Sequence, residues 1–375
     1  MTIQSNDDMI AALGAEQSTE FEWNKITGAA AYTAGRAYSM ATLAGSPVGT
    51  AYPGTALVAQ TYQGQTGDGT NAFGIPVGAD VSPSIKHALL LNAVTTAATG
   101  VPATLYLCDW LMAYPGINMN TLSAQTLINA NTFTASSSSG LLLTYTNDFT
   151  TFTQVRFTTT TTLPTGLSVG VDYWLVRVSA TTARVATSLA NAVAGTVIAF
   201  TDAGTGTHTM TVQIPRYTDG AGVRAFLEVR ATTGATAHNL AYSYTNQAGV
   251  AARANPVTVS CTASAIVPQI THAGVAANNY APFLPLASGD SGIRSFQTAT
   301  LSAASGAGTA ALVLVKQIAK ISLGVASLTV EKDLLNQIPS LPRIRDGACL
   351  GWVLLPGAAT AASTTFAGSV TTVWG

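Results

Sequence analysis

Charged side chains are scarce in this sequence. Asp, Glu, Lys and Arg make up 9% of its 375 residues, whereas about a quarter is usual in soluble domains. The net charge is −1 and the basic residues are scattered singly, which argues against a nucleic-acid partner, since such a protein displays clustered positive charge. Surface charge also keeps a solitary protein in solution. We therefore expect partners to cover much of the surface; the alternative is a monomer with a Thr/Ser/Asn surface.

Long apolar runs are missing as well. Thr, Gly or Asn interrupts each apolar stretch well before the about 18 residues that suggest a membrane-spanning helix. The opening MTIQSNDDMIAALGAEQ lacks the basic region and apolar stretch of a signal peptide. Asn6 or Asp7 is instead predicted to cap a short helix that ends at Gly14. We expect no export signal and no membrane partner.

Residues that bind metals or form disulfides are few. The three cysteines, Cys108, Cys261 and Cys349, lie far apart without a C-x-x-C motif, so a disulfide framework or zinc site is disfavoured and each is predicted to be a small buried apolar residue. No two of the four histidines have metal-ligand spacing; they are His87, His208, His238 and His272. We expect no metal and no cofactor.

Catalytic motifs are equally thin. The sequence has no H-E-x-x-H, no G-x-S-x-G and no P-loop. A glycosidase needs two carboxylates in a cleft, and the most conceivable candidates are Asp109, Asp219, Glu228 and Asp290. Two of these, Asp219 and Asp290, lie in Gly-flanked turns. The sequence therefore predicts a protein that is not an enzyme.

Strand patterns dominate what is present. Short runs of Val, Leu, Thr and aromatics alternate with Gly, Pro, Asn and Asp clusters. Residues 103–112 are apolar on both strand faces, and residues 222–230 alternate with period two. Besides the N-terminal helix, only residues 331–338 suggest helix. The predicted class is all-β, built from sandwich-like or jelly-roll-like units.

One motif occurs twice, 127 positions apart: IPRYTDGAG at 214–222 and LPRIRDGAC at 341–349. Asp-Gly favours a turn, because Gly adopts positive φ cheaply, and Pro ends the preceding strand. Arg and Asp stand three apart in both copies, at a spacing that allows an ion pair across the turn. The motif is predicted to be turn geometry rather than chemistry, and its structural residues are Pro215, Arg216, Asp219, Gly220, Pro342, Arg343, Asp346 and Gly347.

The duplication extends beyond this motif. TLYLCD at 104–109 resembles ALVLVK at 311–316, at an offset of 207. The first copy is thus about 80 residues longer, and the Thr/Ser-rich stretch 131–210 has its own strand pattern. An inserted β-domain is the favoured interpretation, because exposed turns tolerate insertions; one continuous sandwich with a long hairpin is the alternative.

These patterns predict a domain organisation. An irregular N-terminal arm spans 1–74 and lies on a neighbouring molecule, where Tyr52 and Tyr62 bury apolar area. A first β-sandwich half is split into 75–130 and 211–284 by the inserted domain at 131–210. A second, related half spans 285–375.

Aromatic residues raise the question of sugar binding, which needs exposed rings. Tyr173 and Trp174 fall on the inserted domain, and Trp110 and Trp352 fall on the duplicated strands. Because a strand in a packed sheet buries about half of its side chains, core packing is the favoured interpretation.

The inserted stretch resembles a small β-module of tailed-bacteriophage structural proteins. Its Leu-Pro-x-Gly-Leu turn at 163–167, its Tyr-Trp strand at 173–174, its Ala-Thr-Ser at 186–188 and its Gly-Thr-Gly-Thr-His-Thr at 204–209 match that module. The stretches YLCDWLMAYPGIN, LPLASGDSGIRSFQ and EKDLLNQIPSLPRIRDGA resemble flanking parts of phage virion proteins. Together these resemblances cover about two thirds of the chain.

The resemblance implies a location and partners. It implies a protein of the virion, assembled in the host cytoplasm, with capsid cement or decoration as the first role and a tail, baseplate or fibre component as the alternative. A capsid shell subunit is disfavoured, because its fold has a long helix. The implied partners are the major capsid protein or other virion proteins and further copies of the chain, most simply a trimer as in phage decoration proteins; a glycan is a further candidate ligand of the inserted domain.

Overall fold

The predicted all-β class is confirmed by the computed structural model. The structure describes residues 3, 5–50, 52, 54–64, 74–75, 77, 85–137, 142–271, 282–337 and 341–375. Over these ranges the chain folds into antiparallel sheets and one closed barrel, with little helix.

The described strands and helices have the following bounds. The strands in chain order are β1 Ser18–Ile26, β2 Tyr38–Ser39, β3 Gly45–Ser46, β4 Gln60–Thr61, β5 Lys86–Thr95, β6 Ala103–Asn118, β7 Gln125–Thr126, β8 Ala130–Ser136, β9 Leu142–Tyr145, β10 Gln154–Thr159, β11 Asp172–Ser179, β12 Thr182–Ala186, β13 His208–Val212, β14 Val223–Ala231, β15 His238–Asn246, β16 Arg253–Ala254, β17 Val259–Cys261, β18 Ile293–Leu301, β19 Thr309–Leu323, β20 Val330–Asp333, β21 Leu350–Pro356 and β22 Thr365–Trp374. The helices are α1 Asn6–Gly14, a 3-10 turn Ala98–Gly100, α2 Leu189–Val193 and α3 Leu334–Gln337.

The N-terminal helix ends at Gly14 as predicted, but its cap is one residue earlier than the sequence suggests. Ser5 Oγ accepts from the backbone N–H of Asp8 at 3.1 Å, and the Asp8 carboxylate accepts from the backbone N–H of Ser5 at 3.0 Å. This reciprocal capping box satisfies two N–H groups that an uncapped helix would leave unpaired.

The helix predicted for 331–338 is mostly wrong. Its first part belongs to β20, which pairs with β5, and only the four residues of α3 are helical. Residue 338 lies outside the described ranges. Pairing with the neighbouring strand overrides the local helical pattern, because it satisfies the backbone groups of this segment at the sheet edge.

The long strands β6 and β19 form the centre of one sheet with the order β14-β19-β6-β21-β2. Across its middle, Val223, Lys316, Asp109 and Leu350 are consecutive partners on four adjacent strands. Both faces of this sheet are covered, which agrees with the apolar character of the two faces of β6.

The register of this sheet follows the two sequence offsets. Asp109 pairs with Leu350. Their equivalents in the other copies, Lys316 (207 positions later than Asp109) and Val223 (127 positions earlier than Leu350), also pair with each other. The same operation relates the rest of β14 to β21 and of β19 to β6. The pairing is therefore symmetric about the Asp109–Lys316 pair, with one repeat copy on each side.

The symmetry extends to the two outer sheets. One has the order β20-β5-β22-β1-β3, and the other has the order β16-β15-β18-β7 with β17 beside β15. Leu240 pairs with Leu301 in one, and the equivalent residues Ala367 and Val94 pair in the other. The outer sheets pack against opposite ends of the central sheet, where apolar side chains of both layers form the cores.

The two predicted halves, 75–130 with 211–284 and 285–375, do not fold as separate units. Strands β5 and β6 of the first copy pair with β22 and β21 of the second, while β14 and β15 of the first pair with β19 and β18 of the second. Every duplicated sheet thus contains strands of both copies. The physical reason is that the backbone N–H and C=O groups of each copy form hydrogen bonds with strands of the other copy.

The N-terminal arm predicted for 1–74 is corrected over its described part. All nine residues of β1 pair with β22, and Trp23 is buried against Trp352 with ring centroids 4.8 Å apart. Tyr52 and Tyr62 are buried in the core of their own chain rather than on a neighbour. The remaining stretch, 65–73, lies outside the described residues.

A closed barrel is formed by strands β8 to β13, from the stretch for which the sequence predicts an insertion. Its first and last strands pair with each other, and Ala130 is the register partner of Thr211. The barrel loop 148–152 contacts the body of the protein: Gln60 Nε2 donates to the carbonyl of Asp148 at 3.4 Å, and Gln63 Nε2 donates to that of Phe152 at 3.0 Å.

This geometry makes removal of the barrel testable. Replacing 131–210 by a short Gly linker should leave a soluble protein that still melts cooperatively, because the ends to be joined already lie on adjacent strands. The melting temperature should fall, since the Gln60 and Gln63 contacts are lost. Differential scanning calorimetry measures both.

A half deletion is the control for this experiment. Removing only 131–175 leaves an open barrel with unpaired strand edges and should give aggregate. Aggregation of the complete deletion as well would contradict an independently folded insertion.

A cleft between the two repeated turns

The two copies of the repeated motif line one cleft. It has a volume of about 440 Å³ and its walls are Pro215, Arg216, Tyr217, Thr218, Asp219, Arg343, Arg345 and Asp346. The turns meet because β14 and β21, which follow them, flank the central Asp109–Lys316 pair on opposite sides. We call this the twin-turn cleft.

Arg216 forms the buried floor of the cleft. Its Nε and Nη2 donate to the two oxygens of Asp109 at 2.8 and 2.7 Å, and both side chains are buried. Its Nη1 donates to the carbonyl of Tyr62 at 3.0 Å and its Nη2 also donates to that of Trp110 at 2.8 Å. Asp109 accepts a further bond from the backbone N–H of Cys349 at 2.9 Å. This ion pair joins both turns to β6.

The ion pair that the sequence allows across the first turn, between Arg216 and Asp219, does not form. Arg216 pairs with Asp109 and not with Asp219, whose Oδ1 accepts from the backbone N–H of Ala221 at 3.1 Å. Burial lowers the pKa of Arg216, but the adjacent Asp109 charge outweighs burial and the net pKa is raised. The guanidinium therefore stays charged in the interior.

The second turn has a different environment although its sequence is similar. Lys316 occupies the position equivalent to Asp109, so the central pair has a cation in one copy where it has an anion in the other. Arg343, Arg345 and Asp346 are exposed, whereas Arg216 is buried. The equivalent arginines of the two copies therefore differ in burial, as the charges of the equivalent central residues differ.

Tyr217 stands between the two turns in an uncommon conformation. Its φ is +54°, a region that bulky residues rarely adopt. The guanidinium of Arg345 lies 4.9 Å and the ammonium of Lys316 5.4 Å from its ring centroid. Its hydroxyl is buried and has no hydrogen-bond partner among the described residues. Burial, with the Asp109 charge adding to it, raises the pKa of this hydroxyl.

Sequence reasoning does not single out Tyr217, Lys316 or Arg345. Comparison of the two copies identifies the first two. Lys316 is a cation where its equivalent, Asp109, is an anion, and Tyr217 is a tyrosine where the other copy has the buried Ile344. Arg345 has no sequence signal of its own.

Both turns need glycine. Gly220 and Gly347 have φ of +73° and +68°, so alanine at either position should destabilise the protein by about 1–2 kcal/mol. G220A should cost more, because its Cβ would lie 2.8 Å from Arg294 Cγ and 3.1 Å from a backbone oxygen, whereas at Gly347 the nearest atom is a flexible Gln63 oxygen at 3.3 Å. Urea denaturation of both variants tests the order.

Gly324 supplies the control for these variants, since a Cβ there meets nothing within 4 Å. A G220A protein as stable as G324A would contradict the turn geometry.

The remaining carboxylates considered for catalysis are engaged elsewhere. Glu228 is buried, with Arg230 Nη1 donating to it at 2.6 Å and the Tyr52 hydroxyl donating to its other oxygen. Asp290 accepts from Tyr244, Asn246 and Arg253 at 2.6–2.9 Å, and the Tyr244 and Arg253 hydrogen bonds lower its pKa to about 2. These carboxylates lie apart from Asp109 and act as cross-links.

Cysteines and histidines are not gathered into a site in the described part of the chain. Cys108, Cys261 and Cys349 are buried thiols, and burial raises the pKa of the Cys261 thiol to about 12. Within the described ranges, no three His, Cys, Asp or Glu side chains are placed to hold a metal ion. His272 lies outside these ranges.

The aromatic residues considered for sugar binding are largely in cores. Trp110 packs edge-on against Phe226, with centroids 6.0 Å apart, and Trp352 packs on Trp23. Tyr173 is buried inside the barrel and Trp174 is half-buried. Among the described helices, none combines the length and apolarity needed to cross a membrane.

Comparisons with known proteins give little. No family model and no curated protein matches the chain. Among solved structures, the crystal structure of the infectious bursal disease virus VP2 subviral particle is 10% identical, covers 79% of this chain and 83% of that chain, and has a TM-score of 0.15. A score this low does not show a common fold.

Proposed function

We propose that the chain is a non-enzymatic structural protein of a bacteriophage virion, acting as a capsid cement or decoration protein. The observation that carries this proposal is that the carboxylates considered for catalysis are engaged in structural ion pairs and hydrogen bonds. Asp109 and Asp290 are each paired with an arginine from a separate segment of the fold, and Glu228 is bound by Arg230 of its own strand and by Tyr52 of a distant segment. A protein whose carboxylates stabilise its scaffold is suited to bearing load in an assembly.

Surface chemistry supports the same proposal. With 9% charged residues and an all-β scaffold, the chain can form broad contacts without a large desolvation penalty for charge. The barrel is a closed unit that carries the phage-module motifs. A closed barrel has no open edge, so it can be exposed at a particle surface without promoting aggregation.

The test is localisation on the particle. Phage particles purified from a lysate of the producing host are analysed by mass spectrometry. Gold-labelled antibody against this chain is then imaged on intact particles. Label over the head in many copies is the expected result. Label on the tail or baseplate would support the alternative role at the host surface, and absence of the chain from particles would refute both.

A second measurement tests whether the chain stabilises the capsid or is only attached to it. Capsids lacking the chain should lose DNA at a lower temperature than complete capsids, and adding purified protein should restore the higher temperature. No difference between the two particle types would contradict a stabilising role.

A further inference from the structure

Trp174 lies on the outer surface of the barrel. Side chains alternate along β11, so Tyr173 and Leu175 are buried in the barrel core while Trp174 and Val176 point outward and are half-buried. Trp174 is not among the apolar residues that form or line the cores of the described structure. The barrel therefore does not use this indole to fill its interior.

Further apolar side chains surround Trp174. Val176 follows it on the same face of β11, and Val178, two residues later, is 53% exposed. The helix α2 lies against β11 and β12 and ends at Val193, which is also exposed. Exposed apolar residues that gather on one surface are typical of a binding site.

Arg184 brings a positive charge to this surface. It is the register partner of Val176 on β12, which makes it a diagonal neighbour of Trp174 within reach of a long side chain. Arg184 is exposed and has no ion-pair partner among the described residues. A binding surface that contains an unpaired guanidinium favours an anionic ligand.

The carboxylates of the barrel do not neutralise Arg184. Asp148 and Asp172 pair with the other two arginines of the inserted stretch, as the Arg177–Asp148 and Arg156–Asp172 pairs. Asp202 accepts from the backbone N–H groups of Thr165 at 3.2 Å and Gly204 at 2.8 Å. The guanidinium of Arg184 is thus available to a carboxylate from outside the chain.

Gln154 flanks Trp174 on its other side. It is the register partner of Trp174 on β10 and, because Val155 points into the core, it shares the outer face. Gln154 is 3% exposed, and its Oε1 accepts no hydrogen bond from the described residues. A buried oxygen without a donor is unfavourable. The terminal amide torsion is soft, so a small rotation can present this oxygen to a ligand hydroxyl beside the indole.

These three side chains match the parts of a sugar that carries a carboxylate. The indole face packs on the C–H groups of the ring, the amide oxygen accepts from a hydroxyl, and the guanidinium binds the carboxylate in a fork. We propose that the barrel binds acidic glycans, with a sugar ring on Trp174 and its carboxylate on Arg184. This inference goes beyond the proposed capsid role, because it gives the barrel a ligand of its own.

Titration calorimetry of the full chain with defined oligosaccharides tests this proposal. The probes are trigalacturonic acid, whose sugars carry carboxylates, and uncharged galactotriose of the same linkage; trisialic acid is a second acidic probe. The acidic probes should bind, and their binding should weaken with salt. Galactotriose should bind at least about tenfold more weakly than trigalacturonic acid. Equal binding of trigalacturonic acid and galactotriose, or no binding of either acidic probe, would overturn the proposal.

Variants assign the binding to this surface. R184Q and W174A should each weaken binding of the acidic probes about tenfold or more, and R184Q should remove most of the preference over galactotriose. K320Q is the matched control for R184Q, because it removes one positive charge at an exposed position outside the barrel, and it should bind like wild type. W174F keeps an aromatic ring and should bind better than W174A, which separates loss of stacking from misfolding.

Two results with these variants would contradict the assignment. Equal losses in R184Q and K320Q would show that the acidic probes respond only to net charge, and unchanged binding by W174A would show that the indole is not involved. Capsid stabilisation is measured separately with the same proteins. A W174A chain that binds no acidic probe but still stabilises capsids is the expected result, whereas loss of capsid binding by W174A without glycan binding by wild type would assign the surface to a protein partner and refute the glycan site.

Discussion

Replacing Arg216 by Met is expected to lower the free energy of unfolding by about 3–5 kcal/mol, because it leaves the Asp109 carboxylate buried without its partner. The loss should be large although methionine fills similar space, since Asp109 lies at the centre of the sheet and water cannot replace the guanidinium. Urea denaturation of R216M and wild type at pH 7 measures the difference.

Arg177 provides the matched control for R216M. It forms a similar two-contact pair with Asp148, but both side chains are partly exposed, at 37% and 26%. R177M should therefore cost less than about 1 kcal/mol. Changing Asp109 to Asn in the R216M background should recover part of the loss, because it removes the uncompensated charge. Equal costs for R216M and R177M would refute a structural role for the twin-turn ion pair.

Replacing Trp23 by Ala is expected to destabilise the protein by about 3–5 kcal/mol, the usual cost of removing a buried indole. Trp23 is 2% exposed and packs against Trp352 in the core of its own chain. The loss relative to wild type should be the same at different protein concentrations. Thermal and urea unfolding at two concentrations a hundredfold apart measure it.

This concentration test distinguishes a core strand from an arm. If residues 1–26 lay on a neighbouring molecule, the effect of W23A would grow as the protein is diluted. Thr19, an exposed residue of the same strand, is the control, and T19A should be close to neutral. A W23A loss that appears only at low concentration would restore the arm predicted from the sequence.

Much of the fold is encoded in local patterns. Alternation and apolar runs place β6 and β14 correctly, because side-chain period and burial in a strand are set by the chain itself. The Pro-Arg-x-x-Asp-Gly repeat identifies two turns, since positive φ at Gly220 and Gly347 requires glycine wherever the turn is placed. The offsets of 127 and 207 also relate the pairing of the strands, because they convert the register of the β21–β6 pair into that of the β14–β19 pair.

The tertiary structure decided which strands pair, and the site depends on that pairing. Nothing local distinguishes β14 pairing with β6 from β14 pairing with β19, because both partners offer the same backbone bonds and similar apolar faces. Arg216 finds Asp109 at a sequence distance of 107 residues, and Tyr217 comes between Arg345 and Lys316 from three separate segments. The sequence by itself determined core strands such as β6 and β14, the two turns and the duplication, but it missed β1 and β20. Contacts between distant segments determined the sheets and the twin-turn cleft, because the energy of such contacts depends on residues from several segments at once.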